Sequence, residues 1–265
     1  MKNLIRLLLL LSVSSPVLSQ DWAVKMLESS PRHQENVVIK DGERSINCFV
    51  VYPEVSHKAG VVILIHENRG LTDWARSMAD QVASRGFIAI APDLLSGKAP
   101  NGGGTPDFSS SDDAMKAIYA LDPAGVTSAL NAVFDFAEKI PSGNGKVSVG
   151  GFCWGGSQTF RYATNNTNIS AAFVFYGTGP SESGDYKKIA VPVYGFYGGN
   201  DERVNATIAG SEQMMKEVSK KYEPVIYPGA GHGFMRSGQE PDANEDNKKA
   251  RDQAFERLVD LLNKI

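Results

Sequence analysis

The chain has 265 residues, of which 42% are hydrophobic and 22% are charged, a composition typical of a globular protein with one large α/β domain. The net charge is −3 and no dense run of Lys or Arg occurs, so we expect no nucleic-acid partner.

The first twenty residues have the pattern of a secretory signal peptide. Lys2 and Arg6 precede the apolar run 7–13, and small residues that permit cleavage follow up to Gln20. The run is shorter than the roughly 20 residues that span a bilayer, which argues against an uncleaved anchor. We predict a signal peptide over residues 1–20, one domain over residues 21–265, and an exported protein, periplasmic or secreted, that leaves the membrane after cleavage.

Strand-like and helix-like segments alternate from residue 46 onward. The predicted strands are 46–52, 60–66, 87–91, 146–152, 171–176, 191–197 and 223–227. The predicted helices are 73–84, 123–139, 154–164, 205–221 and 244–263. This alternation predicts an α/β fold with a doubly wound, mostly parallel sheet and helices on both faces.

One segment, 94–113, interrupts the alternation. It is rich in Gly, Pro and Ser and follows a strand end, so we predict a long loop. Its place at the carboxyl side of the sheet, where such folds bind ligands, favours a substrate-facing role over a passive insertion.

A glycine-rich turn carries a thiol between a predicted strand and a predicted helix. Gly151 and Gly155 lie two residues before and after Cys153, the spacing of the nucleophile elbow G-x-S-x-G with cysteine in place of serine. The start of the following helix would favour thiolate over thiol. The alternative interpretation is a buried structural cysteine.

The only other cysteine is Cys48, within the predicted strand 46–52. An exported protein could oxidise the pair, but a bridge would sequester the thiol at the tip of the turn. We therefore expect both cysteines to be free.

An acid and a histidine follow the cysteine in the order nucleophile, acid, histidine. Asp201 comes after the predicted strand 191–197, and His232 lies in the glycine-rich loop after the strand 223–227. Singly, Asp201 is also explained as a turn or cap residue and His232 as a loop histidine. Their joint order after a cysteine elbow favours a catalytic triad. His66, at the end of a central strand, is a candidate for supporting this site.

Five motifs occur in a fixed order along the chain: HENRGL, APDLL, GFCWGG, GGNDERV and GAGHGFMR. Together they resemble the dienelactone hydrolase family, which has the α/β-hydrolase fold, and the resemblance covers nearly all of the chain after the signal peptide. It implies hydrolysis of an ester or lactone without a metal or an organic cofactor, and we expect a monomer.

The resemblance also implies roles for individual residues. Cys153 matches the nucleophile, His232 the base and Asp201 its orienting acid. Glu67 matches a glutamate that contacts the resting thiol and can accept its proton. The implied oxyanion hole and substrate contacts are the backbone N–H groups of Trp154 and Asn68, and the side chain of Arg236.

A second family arginine, expected shortly after the APDLL motif, is absent, because Lys98 ends the segment that stands there. Arg69 could supply the missing charge, although a surface salt bridge would explain it equally well. Arg236 could instead pair with Glu240 or Asp242, and Glu67 could be a solvated loop residue.

The sequence therefore predicts an exported hydrolase that cleaves a small ester or lactone through a cysteine thioester. Two other interpretations stay open. One is a cysteine-dependent acyl transferase or peptidase on the same fold, and the other is a non-catalytic exported protein that binds a small acid.

Overall fold

The computed structural model describes residues 20–265, so the predicted signal peptide, apart from Gln20, lies outside the described residues. The strands are β1 (Gln34–Asp41), β2 (Arg44–Val51), β3 (Ala59–Ile65), β4 (Ile88–Pro92), β5 (Gly143–Phe152), β6 (Ala172–Phe175), β7 (Val193–Gly198) and β8 (Tyr222–Tyr227). The helices are α1 (Asp21–Glu28), α2 (Asp73–Ala83), α3 (Ser111–Tyr119), α4 (Pro123–Glu138), α5 (Trp154–Ala163), α6 (Ser183–Tyr186), α7 (Glu202–Asn205), α8 (Ile208–Glu217), α9 (Phe234–Ser237) and α10 (Glu245–Leu262).

The eight strands form one sheet in the order β1-β2-β4-β3-β5-β6-β7-β8. Strands β3 to β8 run parallel to one another, whereas β2 runs antiparallel to both of its neighbours. Parallel strands need covered faces, and their sequences are accordingly almost continuously apolar. The predicted mostly parallel sheet is confirmed.

Helices cover both faces of this sheet. Val133 of α4, Phe160 of α5 and Met215 of α8 are buried in the core on one face. Trp74 of α2 and Leu258 of α10 are buried in the core on the other. Because the strands are parallel, the carboxyl ends of β3 and β5 to β8 meet at a single edge of the sheet, where the loops after them can converge.

The prediction of secondary structure was wrong or incomplete in several places, and helices α1, α6 and α9 were not predicted. The predicted helix 205–221 is two helices, α7 and α8, and it stops before Ser219, whose φ of 54° is left-handed. The predicted loop 94–113 contains a 3₁₀ turn at Thr105–Asp107 and the start of α3, where the Ser110 side chain caps the helix. Strand β1 was missed because Ile39 is its only buried residue.

The segment that carries α1 and the start of β1 is fastened to α2 by a buried carboxylate. Asp80 is 3% exposed and accepts hydrogen bonds from Ser30 Oγ at 2.5 Å and from Arg32 Nη2 at 2.6 Å. Gln20 is the N-cap residue of α1, and its main-chain oxygen accepts the N–H of Ala23 at 2.7 Å. Its side-chain oxygen accepts the N–H of Trp74 at 2.7 Å. The N-terminal residues are thus tied to the fold by polar contacts as well as by the apolar packing of Ala23 and Trp22 on the core.

Among residues 20–265, no helix has both the length and the apolar character needed to cross a membrane.

The ion pair between Asp80 and Arg32 is largely buried. Asp80→Asn should destabilise the protein by about 3 kcal/mol, because it leaves the Arg32 guanidinium without its counter-charge. Denaturant unfolding of the two proteins measures this difference. The control is Glu256→Gln, which removes an exposed partner of Arg85 and should cost less than about 1 kcal/mol. Equal losses in both variants would contradict the assignment.

Candidate active site

Cys153 lies at the turn between β5 and α5, with φ 56° and ψ −116°, a backbone region that residues with a side chain rarely adopt. The glycines around it explain why the turn forms. A Cβ on Gly151 would collide with the carbonyl oxygen of Gly155, and a Cβ on Gly155 would collide with the carbonyl oxygens of Ile65 and His66. The elbow predicted from the glycine spacing is thus present, with the thiol at its apex.

The loops after β7 and β8 bring Asp201 and His232 to this thiol. His232 Nε2 lies 3.1 Å from Cys153 Sγ, and His232 Nδ1 lies 2.5 Å from Asp201 Oδ2. Asp201 is 6% exposed, whereas about a third of the His232 side chain is exposed. The three side chains form one hydrogen-bonded chain from a buried acid to a partly buried thiol.

Asp201 is both a helix cap and the acid of the triad, the two roles that the sequence allowed. Its Oδ1 accepts the N–H of Val204 at 3.4 Å and so caps α7, while its Oδ2 faces the histidine. The neighbouring Asn200 binds the histidine loop through its N–H to Ala230 O at 2.9 Å and through Nδ2 to Gly229 O at 2.8 Å. These contacts hold the two loops in register.

The thiol is surrounded by groups with opposing effects on its ionisation. Burial, and then the negative charge of Glu67, raise the pKa of Cys153 to about 11, against smaller lowering effects of the backbone N–H groups of Trp154 and Asn68 and the charge of Arg203. The resting group is therefore a neutral thiol near pH 7: the N–H at the start of α5 does lower the pKa, but burial and Glu67 outweigh the effect that was expected to favour the thiolate. The two N–H groups proposed as the oxyanion hole are thus among the groups that favour the thiolate.

His66 supports the loop that carries Glu67 and Asn68. Its Nδ1 donates to the carbonyl of Glu67 at 2.7 Å, its Nε2 accepts the N–H of Leu94 at 3.2 Å, and its ring stacks on Trp154 with centroids 5.8 Å apart. Burial lowers the pKa of His66, and an acceptor role for Nε2 requires the neutral ring. The histidine thus joins the β3 and β4 loops to the elbow.

Glu67 is held by two groups other than the thiol. Tyr176 donates its hydroxyl to Oε1 at 3.2 Å, and Arg236 donates Nε–H to Oε2 at 3.0 Å. Within the described chain, the carboxylate forms no hydrogen bond to Cys153 Sγ, so it acts on the resting thiol through its charge. The expected contact of Glu67 with the thiol is therefore replaced by contacts with Tyr176 and Arg236.

Arg236 also contacts a second carboxylate, because its Nη1 donates to Glu240 at 2.6 Å. Of the two acidic partners that the sequence offered, the structure places Glu240 on the arginine and leaves Asp242 without an ion pair among the described residues. Arg69 is exposed and likewise has no ion pair within residues 20–265.

Two residues of this region escaped the sequence analysis. Tyr176 follows β6 with φ 40°, and its ring lies edge-on to His232 with centroids 5.1 Å apart. The signal was present, because Tyr176 ends a predicted strand at the same sheet edge as the triad. Arg203, two residues after Asp201, is exposed and acts on the thiol by charge alone; no sequence pattern distinguishes it from a solvated arginine.

The segment after β4 packs beside the site. Asp93 accepts the N–H and hydroxyl of Thr105, each at 2.7 Å, and Thr105 Oγ1 accepts the N–H of Leu71 at 2.9 Å. At the end of α3, the Tyr119 hydroxyl accepts a hydrogen bond from Asn68 Nδ2 at 3.3 Å. Part of the predicted loop therefore borders the loop of the proposed oxyanion hole, although its contact with substrate stays a prediction.

Across the part of the chain that the structure describes, no group of three His, Cys, Asp or Glu side chains is arranged to hold a metal ion.

Glu67→Gln should lower the pKa of Cys153, because the substitution removes the charge that opposes the thiolate and also leaves the Arg236 charge less compensated. The measurement is the rate of iodoacetamide alkylation against pH in a Cys48→Ala background. Glu138→Gln, an exposed change of equal charge at the end of α4, is the control and should leave the profile in place. An unchanged or higher apparent pKa in Glu67→Gln would contradict the charge effect.

Comparisons with known proteins identify the family of this chain. The dienelactone hydrolase family matches the chain over residues 46–265. A carboxymethylenebutenolidase homologue of Escherichia coli (strain K12) is 30% identical over 186 residues, which are 66% of this chain and 67% of the relative. A second, from Saccharolobus solfataricus, is 26% identical over 85% of this chain and 96% of its own length.

Solved structures show the same fold. A dienelactone hydrolase homologue from Klebsiella pneumoniae superposes with a TM-score of 0.77 at 22% identity, over 88% of this chain and 99% of its own. The dienelactone hydrolase of Anabaena variabilis superposes with a TM-score of 0.63 at 18% identity, over 84% and 96%. The chain therefore belongs to the dienelactone hydrolase family of α/β-hydrolases and is a hydrolase of esters or lactones.

Proposed function

We propose that the protein cleaves its ester or lactone through a thioester on Cys153, with His232 as the base and Asp201 as the group that orients it. The observation that carries this proposal is the continuous chain of contacts from Asp201 to His232 at 2.5 Å and from His232 to Cys153 at 3.1 Å. Each distance is within the range at which a proton can be transferred.

The first step is removal of the thiol proton, since the resting pKa of Cys153 is about 11. The Asp201 carboxylate can only accept, so it fixes the His232 proton on Nδ1 and leaves the Nε2 lone pair facing the sulfur. The proton passes from Sγ to Nε2 as the sulfur attacks, and Asp201 stabilises the imidazolium. Glu67 is a second candidate acceptor in this proposal, because its charge already acts on the thiol.

Attack on the carbonyl forms a bond from sulfur to carbon and places negative charge on the carbonyl oxygen. The N–H groups of Trp154 and Asn68 are the proposed donors to that oxygen, because both lower the pKa of the attacking thiol and therefore lie close to it. Collapse of the tetrahedral intermediate breaks the bond to the leaving oxygen, which takes the His232 proton. His232 then activates water, which releases the acid and restores the thiol.

Arg236 is the proposed contact for a substrate carboxylate, because its guanidinium lies beside Glu67 and next to the histidine loop. Because the second family arginine is missing, Arg236 is the one family arginine left to bind the carboxylate. The exposed Arg69 and Arg203 add positive charge near the site. Export to the periplasm or the medium, and a monomeric state, belong to the same proposal. The first rests on the residue pattern of the segment 1–20 alone.

Cys153→Ala should abolish hydrolysis of p-nitrophenyl acetate, because the thioester requires the sulfur, while the elbow accommodates the smaller side chain. Release of p-nitrophenolate in buffer, with water as the only acceptor, measures this and excludes an obligatory acyl transfer. Cys48→Ala is the matched control, since Cys48 is buried and its pKa is raised to about 12. Wild-type activity in Cys153→Ala would end the cysteine mechanism.

Asp201→Asn should reduce kcat by about 10² to 10⁴, the scale of removing the group that orients a catalytic histidine. An amide has one acceptor oxygen and cannot serve both the Val204 N–H and the His232 Nδ1–H, so either the cap or the histidine contact is lost. Steady-state kinetics with the same ester gives kcat, and Glu202→Gln, next in the chain, is the control. A loss below about threefold would show that another carboxylate orients His232.

A further inference from the structure

Arg236 is shared between two carboxylates on different sides. Its Nε–H points to Glu67 at 3.0 Å and its Nη1 to Glu240 at 2.6 Å. Its remaining nitrogen, Nη2, forms no hydrogen bond to any described residue, and it lies 3.7 Å from the position that a Cβ would take on Gly233, the residue after His232. The guanidinium thus has one uncommitted nitrogen, beside the histidine loop.

A guanidinium binds a carboxylate best through two parallel N–H groups, offered either by Nε with Nη2 or by Nη1 with Nη2. Glu67 occupies the Nε member of the first pair, and Glu240 occupies the Nη1 member of the second. An incoming carboxylate can therefore bind Arg236 through two parallel bonds only after one of the two glutamates withdraws.

The surroundings of the two glutamates decide which one withdraws. The Glu67 side chain is 13% exposed and also accepts the hydroxyl of the buried Tyr176. The Glu240 side chain is 35% exposed and has no side-chain partner other than Arg236 in the described chain. Release of Glu67 would leave a largely buried charge with one neutral donor, whereas Glu240 would turn into water. Glu240 is the carboxylate that exchanges at low free-energy cost.

We propose that Glu240 is an internal competitor for the substrate carboxylate: it occupies the outer half of Arg236 in the resting protein, and an anionic ester or lactone binds by displacing it. Glu240 then sets the selectivity between anionic and neutral substrates without contacting the reacting atoms. The proposal rests on the proposed function, in which Arg236 receives the substrate anion, and it names Glu240 as the residue that weakens this contact.

Glu240→Gln is expected to increase the preference for an anionic substrate. An exposed ion pair contributes little, so the gain in kcat/KM for mono-p-nitrophenyl glutarate, relative to its neutral methyl ester, should be about two- to fivefold. The change should come from KM, because the competition is at the binding step. In an Arg236→Met background, Glu240→Gln should no longer alter this ratio, since the site of competition is gone.

Asp242→Asn is the matched control, because it removes an equal charge from the same loop but has no contact with Arg236. A ratio that rises equally in Asp242→Asn would reduce the effect to long-range charge and overturn the proposal. A ratio that stays at the wild-type value in Glu240→Gln, or falls, would overturn it as well.

A readout without turnover separates this inference from the proposed function. Iodoacetate and iodoacetamide both alkylate Cys153, but only iodoacetate carries a carboxylate. Glu240→Gln should raise the ratio of their alkylation rates in a Cys48→Ala background, and Asp242→Asn should not. If the wild type hydrolyses neither ester yet shows this change, the thioester mechanism fails while the competition stands. If both esters are hydrolysed but neither ratio changes in Glu240→Gln, the competition by Glu240 fails while the thioester mechanism stands.

Discussion

The close approach of α5 to the ends of β3 and β5 is the constraint on which the site depends. Only glycines at positions 151 and 155 permit it, because a Cβ at either would enter the neighbouring main chain. That approach forces Cys153 into a backbone conformation that costs about 1–3 kcal/mol, which the surrounding sheet and helix must offset. The strained turn places the sulfur at the start of α5, where the backbone N–H of Trp154 lowers its pKa.

Charges of alternating sign extend outward from that sulfur, first the Glu67 carboxylate and then the Arg236 guanidinium. Glu67 opposes ionisation of the thiol, and Arg236 offsets Glu67 while remaining open to an anion from outside. Tyr176 and His66 hold these groups in place through Glu67 itself, one at the carboxylate and one at the carbonyl. A substrate that engages Arg236 would therefore change the field at the sulfur as well as its own position, so that binding and activation of the thiol are linked.

Much of this arrangement could be predicted from the sequence, because the parallel strands place the residues that follow them at one edge. The alternation of strand and helix patterns was sufficient for the fold class. The order of Cys153, Asp201 and His232 after three such strands, together with the glycines of the elbow, was sufficient for the contacts within the triad. The partners of Arg236 were not predictable, since a loop arginine with acids on both sides in sequence has several equivalent choices. Strand β1 escaped because an exposed edge strand carries too few apolar residues to show a period.

The separation of the two cysteines has a consequence for oxidative damage. Cys48 lies on β2, buried and with a pKa raised to about 12, and β4 and β3 stand between it and the elbow strand. A sulfenic acid formed at Cys153 thus has no second thiol of the chain within reach with which to condense to a disulfide. Peroxide would then carry the sulfur onward to sulfinic acid, which is not readily reversed, and the high resting pKa that keeps the sulfur protonated is the chain's protection against this loss.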